Sequence, residues 1–150
     1  FLMIRPITAQ DRALYLSLMD EFYHSPAVLH PVNADYYVRA VDEMLARDTY
    51  LLGYLLEYDG QPAGYAMLAR AYPTECGGPV LWIEELYVRE AFRSKGLGHE
   101  FFDFLEKAFS GEVCRFRLEV EPENTGAQSL YRRLGFEVLP YTQMVREFPR

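Results

Sequence analysis

Apolar residues recur along this chain at two different periods, and the switches between them divide it into elements. Met3 to Ile7 reads as a short opening strand, after which Thr8 and Asp11 form a capping pattern ahead of a helix. Tyr15, Leu18, Met19 and Phe22 fall at helical spacing and give that helix one apolar face. Ser25-Pro26 should end it, because proline disfavours helix at the residue before it. A second helix is expected after Pro31, with Tyr37, Val41, Met44 and Leu45 on one side, which leaves Tyr23 to Val32 as a connection.

Two runs of aromatic and aliphatic residues, Tyr50 to Tyr58 and Ala63 to Tyr72, flank Asp59-Gly60-Gln61-Pro62, the signal of an antiparallel hairpin with a tight turn. After the break at Gly77-Gly78-Pro79, Val80 to Val88 reads as a third long strand. Helical periodicity then takes over, with Leu97, Phe101, Phe104, Leu105 and Ala108 on one face. Phe116 to Glu121 alternates apolar and charged residues as a half-buried strand does, and Ala127, Leu130, Tyr131 and Leu134 mark a short helix that Gly135 is placed to end. Phe136 to Phe148 is mixed and expected to be β. The predicted order is βααβββαβαβ, an α+β domain whose later strands alternate with helices.

At 150 residues, with half of them hydrophobic and a quarter charged, residues 1–150 fit one domain with a substantial core and exclude a disordered or collagenous chain. The net charge of −7 opposes approach to a phosphate backbone, so nucleic acid is not an expected partner, whereas a cationic substrate would be attracted. Cys76 and Cys114 lack CxxC or ligand spacing, which gives no support to a disulfide scaffold or a zinc module and suggests a cytoplasmic thiol pair. No run approaches the ~18 apolar residues of a spanning helix, and the N-terminus lacks the pattern of a secretory signal. Neither a membrane nor a metal is expected. Met3 is a candidate native start, two residues into the chain.

The segment richest in candidate chemistry is Val88-Arg89-Glu90-Ala91-Phe92-Arg93-Ser94-Lys95-Gly96-Leu97-Gly98, which joins a strand to a strongly amphipathic helix. A helix N-terminus offers unpaired N–H groups and the positive end of a dipole, glycines let ligand oxygens approach the backbone, and Arg93 and Lys95 add charge. The same residues also suit an ordinary loop. No third glycine completes a dinucleotide fingerprint, no GxxxxGK occurs, and His99-Glu100 has Asp103 where a zincin needs histidine.

Arg93-x-x-Gly96-x-Gly98 after Leu86-Tyr87-Val88, followed by Asn124, Tyr131 and Gly135-Phe136, resembles the GCN5-related N-acetyltransferase (GNAT) superfamily. The likeness is densest from Ile83 to Phe136, and Ile83-Glu84-Glu85-Leu86-Tyr87-Val88 looks most like the diamine, spermidine/spermine and thialysine acetyltransferases, which usually carry Asp where this chain has Glu85. The resemblance implies the acyl-CoA N-acyltransferase fold, a mixed central sheet with helices on both faces and two splayed parallel strands that receive acetyl-CoA. It matches Leu86, Tyr87 and Val88 to the strand that pairs with the acetyl-pantetheine arm. Arg93, Ser94, Lys95, Gly96, Leu97, Gly98 and His99 match the pyrophosphate cradle, and Asn124 matches a polar contact to the pantetheine. Tyr131 matches the proton donor to the departing thiolate, although on its own spacing it would read as core. Dimers are common in the family, so a homodimer is one expected assembly.

An amine acceptor with pKa ~10.4 arrives protonated at neutral pH, so a base, or a water chain leading to one, should help its attack on a thioester. Glu84 shares strand parity with Leu86 and Val88 and is the first choice; Glu119, twelve residues before Tyr131 as in ribosomal-protein N-terminal acetyltransferases, is the competitor. Glu85, of opposite parity, is expected to be a surface or substrate-selecting charge. The function implied is acetyl transfer from acetyl-CoA to a small cationic primary amine by direct attack. A protein N-terminal or lysine acetyltransferase and a non-catalytic acyl-CoA-binding regulatory domain are the alternatives.

Overall fold

The computed structural model describes residues 1–149 and divides the chain into two compact units, Phe1–Glu119 and a second from Val120 onward. Five strands of the first unit form one sheet in sequential order: β1 (Leu2–Pro6), β2 (Leu51–Tyr58), β3 (Gln61–Ala71), β4 (Val80–Val88) and β5 (Arg115–Leu118). All neighbours are antiparallel except β4 and β5, so the sheet is mixed. Between β1 and β2 run helices α1 (Arg12–Tyr23) and α2 (Ala34–Ala46), and α3 (Leu97–Phe109) connects β4 to β5.

Helices cover both faces. On one, Tyr15, Leu18 and Met19 of α1 and Tyr37, Val41 and Met44 of α2 pack with Leu55, Tyr65, Met67 and Tyr87 of the sheet. On the other, Tyr54 meets Phe101 and Phe104 of α3 edge-on. This double coverage explains why β3 is buried without interruption from Ala63 to Leu68 instead of alternating. The apolar face of α3 differs from expectation at one end: Ala108 is exposed, and Phe102 and Phe109 are buried.

Local signals act as expected at several boundaries. Asp11 accepts from the Thr8 N–H at 2.8 Å and its hydroxyl at 3.1 Å, and also receives Arg5 in a bidentate pair at 2.8 and 2.9 Å. Asp59 and Gly60 both adopt positive φ, 50° and 78°, and form a two-residue hairpin loop with Tyr58 facing Gln61. Helix α2 begins three residues after Pro31, where the Asn33 side chain accepts from the Asp35 N–H at 2.9 Å.

Two expectations require correction. The strand read as Phe116 to Glu121 is Arg115–Leu118, which leaves Glu119 outside it. Phe136 to Phe148, expected to be β, forms no strand among the described residues. Its side chains Val138, Tyr141, Met144, Val145 and Phe148 are exposed, so apolar content there is not matched by burial or a ladder partner, the two conditions that turn β propensity into a strand. The second unit does contain the expected short helix, α4 (Thr125–Arg133), after which Gly135 takes φ +95° and its N–H bonds back to Arg132 O at 3.0 Å.

Candidate active site

The parallel pairing of β4 with β5 starts at Val80 opposite Arg115 and stops at Ile83 opposite Leu118. Strand β4 continues for five more residues, Glu84 to Val88, with β3 on one side and no β5 partner on the other. A free strand edge of this kind presents N–H and C=O groups to anything extended that lies along it. Leu86 and Val88 are half-buried on this segment, and Tyr87 is buried between them with its hydroxyl donating to Glu21 at 2.8 Å.

A bulge sits in this stretch. Met67 faces Glu85 and Leu68 faces Ile83, so Glu84 is the extra residue and the strict alternation that placed it with Leu86 and Val88 is interrupted there. Glu84 is exposed, yet protein around its carboxyl, followed by the negative charges of Glu85 and Glu119, pushes its pKa above the ordinary carboxylate value. Glu84 therefore senses both neighbouring carboxylates.

Of the two roles expected for Glu85, surface charge or substrate-selecting charge, burial disfavours the first. Glu85 is half-buried, and its carboxylate accepts from Tyr65 Oη at 2.6 Å and Tyr23 Oη at 2.7 Å. Burial raises its pKa while the two hydroxyl donors pull it back. Tyr23 stacks on Tyr37 with centroids 5.3 Å apart, and Tyr37 donates to Asp20 at 2.8 Å, so the end of α1 carries an aromatic wall tied to carboxylates. Sequence reading missed Tyr23 and Tyr65, because their bonds to Glu85 span 62 and 20 positions and leave no local pattern.

Beyond β4 the chain turns at Glu90–Phe92 and reaches α3 through Arg93, Ser94, Lys95 and Gly96. Ser94 and Gly96 adopt positive φ, 62° and 77°, which aims the loop into the helix start. The first helical bond runs from the Glu100 N–H to Gly96 O at 3.0 Å, so the N–H groups of Leu97, Gly98 and His99 precede the ladder and are available at the positive end of the dipole. Methyl groups added at Gly96 or Gly98 would meet no other atom within 4 Å. At Gly98, whose φ is ordinary, neither backbone conformation nor internal packing requires glycine. Open space over free N–H groups suits a pyrophosphate, and the residues fit the CoA portion of an acyl donor.

The flanking basic side chains are exposed and engaged. Arg93 Nε donates to Val88 O at 2.9 Å and its guanidinium lies 5.9 Å from the Tyr87 ring. Lys95 Nζ lies 5.7 Å from the Tyr58 ring, and His99 Nε2 is 3.6 Å from Asp103. Leu97 is buried and anchors the helix start.

In the second unit, Asn124 is the N-cap of α4, its side-chain oxygen accepting from the Ala127 N–H at 3.1 Å. One end of this amide is thus structural. Tyr131 is half-buried against Phe136, ring centroids 5.9 Å apart, and burial raises its pKa. No group of three or more His, Cys, Asp or Glu among the described residues is arranged to hold a metal ion, and no helix among them is long and apolar enough to cross a membrane.

Residues 12–136 match the acetyltransferase (GNAT) family. The chain belongs to that family. The chemistry of this GNAT chain is therefore acetyl-CoA-dependent N-acetylation. Among curated proteins, aminoglycoside N(6')-acetyltransferase type 1 of Salmonella typhimurium (strain LT2) is 28% identical over 100 residues, 64% of this chain and 68% of the relative. Among solved structures, a possible acetyltransferase from Clostridium difficile 630 has TM-score 0.85 at 18% identity, covering 99% of each chain. The aminoglycoside acetyltransferase AAC(6')-Iy, solved with a bisubstrate analogue of CoA and acetylneamine, has TM-score 0.79 at 22% identity, again over 99% of each. These structural likenesses establish the acyltransferase fold: the mixed five-stranded sheet, its helices and the parallel pair that parts after Ile83.

Proposed function

We propose that this GNAT enzyme acetylates a primary amine carried by a small cationic molecule. The observation that carries the reading is that Glu84, near the free edge of β4, feels the negative charges of both Glu85 and Glu119. A carboxylate whose ionisation is opposed by two like charges forms a site that a cation relieves, because positive charge placed there offsets that repulsion. The aromatic hydroxyls of Tyr23 and Tyr65 favour the charged form of Glu85 against its burial. The chain's charge of −7 favours encounter with the same class of acceptor, and the curated relative above acts on an amino group of an aminoglycoside.

Acetyl-CoA supplies the thioester carbonyl that the amine attacks. In the proposed mechanism Leu86, Tyr87 and Val88 hold the acetyl-pantetheine arm by their backbone, as an added strand would be held. The loop from Arg93 to His99 holds the pyrophosphate, chiefly through backbone N–H groups at the start of α3. Glu84, its pKa raised toward the working pH, receives a proton from the ammonium directly or through water and so frees the lone pair. Glu119 is the rival base, and Glu85 anchors a positive charge of the acceptor. Asn124 contacts the pantetheine and Tyr131 hydrogen-bonds the departing sulfur, roles that rest on the sequence motif.

An acceptor panel scored by thiol release from acetyl-CoA tests the reading. Diamines, lysine analogues and aminoglycosides should outperform neutral amines, and their advantage should shrink as salt is added. Preferential turnover of peptides with a free N-terminus or internal lysine would replace the small-molecule reading with a protein acetyltransferase. Binding of acetyl-CoA with no transfer to any amine would leave a regulatory acyl-CoA-binding domain.

A further inference from the structure

Cys76 and Cys114 stand 38 positions apart without a motif, yet their Sγ atoms lie 2.6 Å from each other. The two free thiols are therefore in direct contact, with nothing between them. Cys76 ends the short turn Thr74–Cys76 between β3 and β4, and Cys114 immediately precedes β5. The approach is held by its surroundings. The Cys114 N–H donates to Pro79 O at 2.9 Å, and Arg115 donates to Glu75 Oε1 at 2.6 Å, so the residues next to the two cysteines are paired as well. Gly78 is buried beneath them, and a Cβ there would come within 3.3 Å of Cys114 Sγ. Cys114 is exposed and Cys76 half-buried, which gives a solvent-borne reagent access to the pair.

We propose that Cys76 and Cys114 form a thiol–disulfide site that reacts with low-molecular-weight disulfides of the glutathione type. The thiolate of Cys114, the more exposed, attacks one sulfur of the small disulfide and forms a mixed disulfide, expelling the first small thiolate. Cys76 then attacks Cys114 Sγ, the Cys76–Cys114 bond forms, and the second small thiolate leaves. The two cysteine thiols are oxidised, the small disulfide is reduced to two thiols, and the two cysteine protons end on those leaving groups. The cross-link closes a loop containing all of β4 and α3 and fastens the paired end of the parallel strands, where Val80 faces Arg115. It stabilises mainly by restricting the unfolded chain, and it does not depend on which amine the enzyme acetylates.

The purified protein, first reduced and then exposed to glutathione disulfide, should lose both thiols on titration after denaturation. Its intact mass should fall by two hydrogens while it stays monomeric on a non-reducing gel. The Tm should rise by on the order of 10 °C and return on adding dithiothreitol. Cys76→Ser should stop at one glutathione adduct on Cys114. A persistent glutathione adduct on the unaltered chain, a covalent dimer, or two thiols still free after exposure would each overturn the assignment.

Discussion

Tyr65, with no exposed surface, donates its hydroxyl to Glu85 at 2.6 Å across the β3–β4 pair. The bond, with its partner from Tyr23, favours the charged form of a half-buried carboxylate against a burial penalty that raises its pKa. Removing the hydroxyl in Tyr65→Phe should cost about 1–3 kcal/mol of folding stability at pH 7, the usual cost of depriving a buried acceptor of its donor. A carboxyl whose folded pKa lies above its unfolded value contributes most below ~4.3 and loses that contribution as pH rises through the folded pKa. Losing the donor raises that pKa further, so the gap between variant and parent should narrow as pH falls below ~4. Urea denaturation at several pH values measures it, and a pH-independent gap would show that the bond does not serve the charge.

Gly98 offers a clean test of the pyrophosphate cradle. Its φ is not left-handed and a side chain there meets nothing, so Gly98→Trp should fold normally while filling the space above the Leu97, Gly98 and His99 N–H groups. Affinity for acetyl-CoA should fall at least about tenfold by calorimetry, a loss of ~1.4 kcal/mol. Gly96→Trp is a poorer probe, because its φ of +77° would add backbone strain to the blockage. A folded Gly98→Trp protein that binds acetyl-CoA as before places the cradle elsewhere.

The elements of the first unit were legible because each carries its own period or punctuation: Asp59-Gly60 for the hairpin, Leu97, Phe101 and Leu105 for α3, Thr8 with Asp11 for the first turn. The loop from Arg93 to Gly98, proposed as the pyrophosphate cradle, could be singled out because its glycines and basic residues lie close together in sequence. Contacts across the sheet were not. The alternation of β4 places Glu84 with Leu86, but a bulge is set by the partner strand, here between Met67 and Leu68, and has no signature in β4 itself. The burial of Glu85 was hidden for the same reason: the tyrosines that hold it belong to other elements. At Phe136 to Phe148 the residue types suit a strand, and composition alone cannot supply the neighbour that a strand needs.

Glu84 and Glu119 can be separated by their effects on the pH profile. With Glu84 as base, Glu84→Gln should lower kcat/KM by ~10²-fold or more near neutrality and recover partly as pH rises and free amine becomes available. Glu119 raises the pKa of Glu84 by its negative charge. Glu119→Gln should therefore keep most of the activity and move the acid limb of kcat/KM to lower pH, because Glu84 then ionises more readily. An acid limb abolished by Glu119→Gln and untouched by Glu84→Gln would exchange the two roles.

Arg5 and Asp11 tie β1 to the start of α1, and the guanidinium holds the Asp11 carboxyl well below the usual carboxylate range, against the opposing effect of burial. A depressed folded pKa contributes stability above the unfolded value of ~3.9 and loses it as pH falls through the folded one. Asp11→Asn should cost about 2 kcal/mol at pH 7, and most of that difference should vanish in strong acid. Thermal denaturation followed from pH 7 to pH 2 checks both the size and the sign.

Tyr131 presents the narrowest test of chemistry against packing. A phenol of pKa ~10 giving its proton fully to a thiolate whose thiol has pKa ~8.5 already works uphill by roughly 2 kcal/mol. Burial raises the Tyr131 pKa further, so full transfer becomes less favourable and the hydroxyl stays neutral across the working range. A neutral donor can still stabilise sulfur as negative charge develops on it, and such a bond strengthens from the ground state to the transition state. Tyr131→Phe retains the ring that packs on Phe136, so it should leave acetyl-CoA affinity and Tm nearly unchanged. Turnover, measured where chemistry limits the rate, should fall by ~10²-fold or more. Because the lost group is neutral throughout, the deficit should be nearly constant from pH 6 to pH 9, unlike the pH-dependent deficit of Glu84→Gln. Near-normal turnover in Tyr131→Phe would make Tyr131 a packing residue only, with solvent supplying the proton to the thiolate.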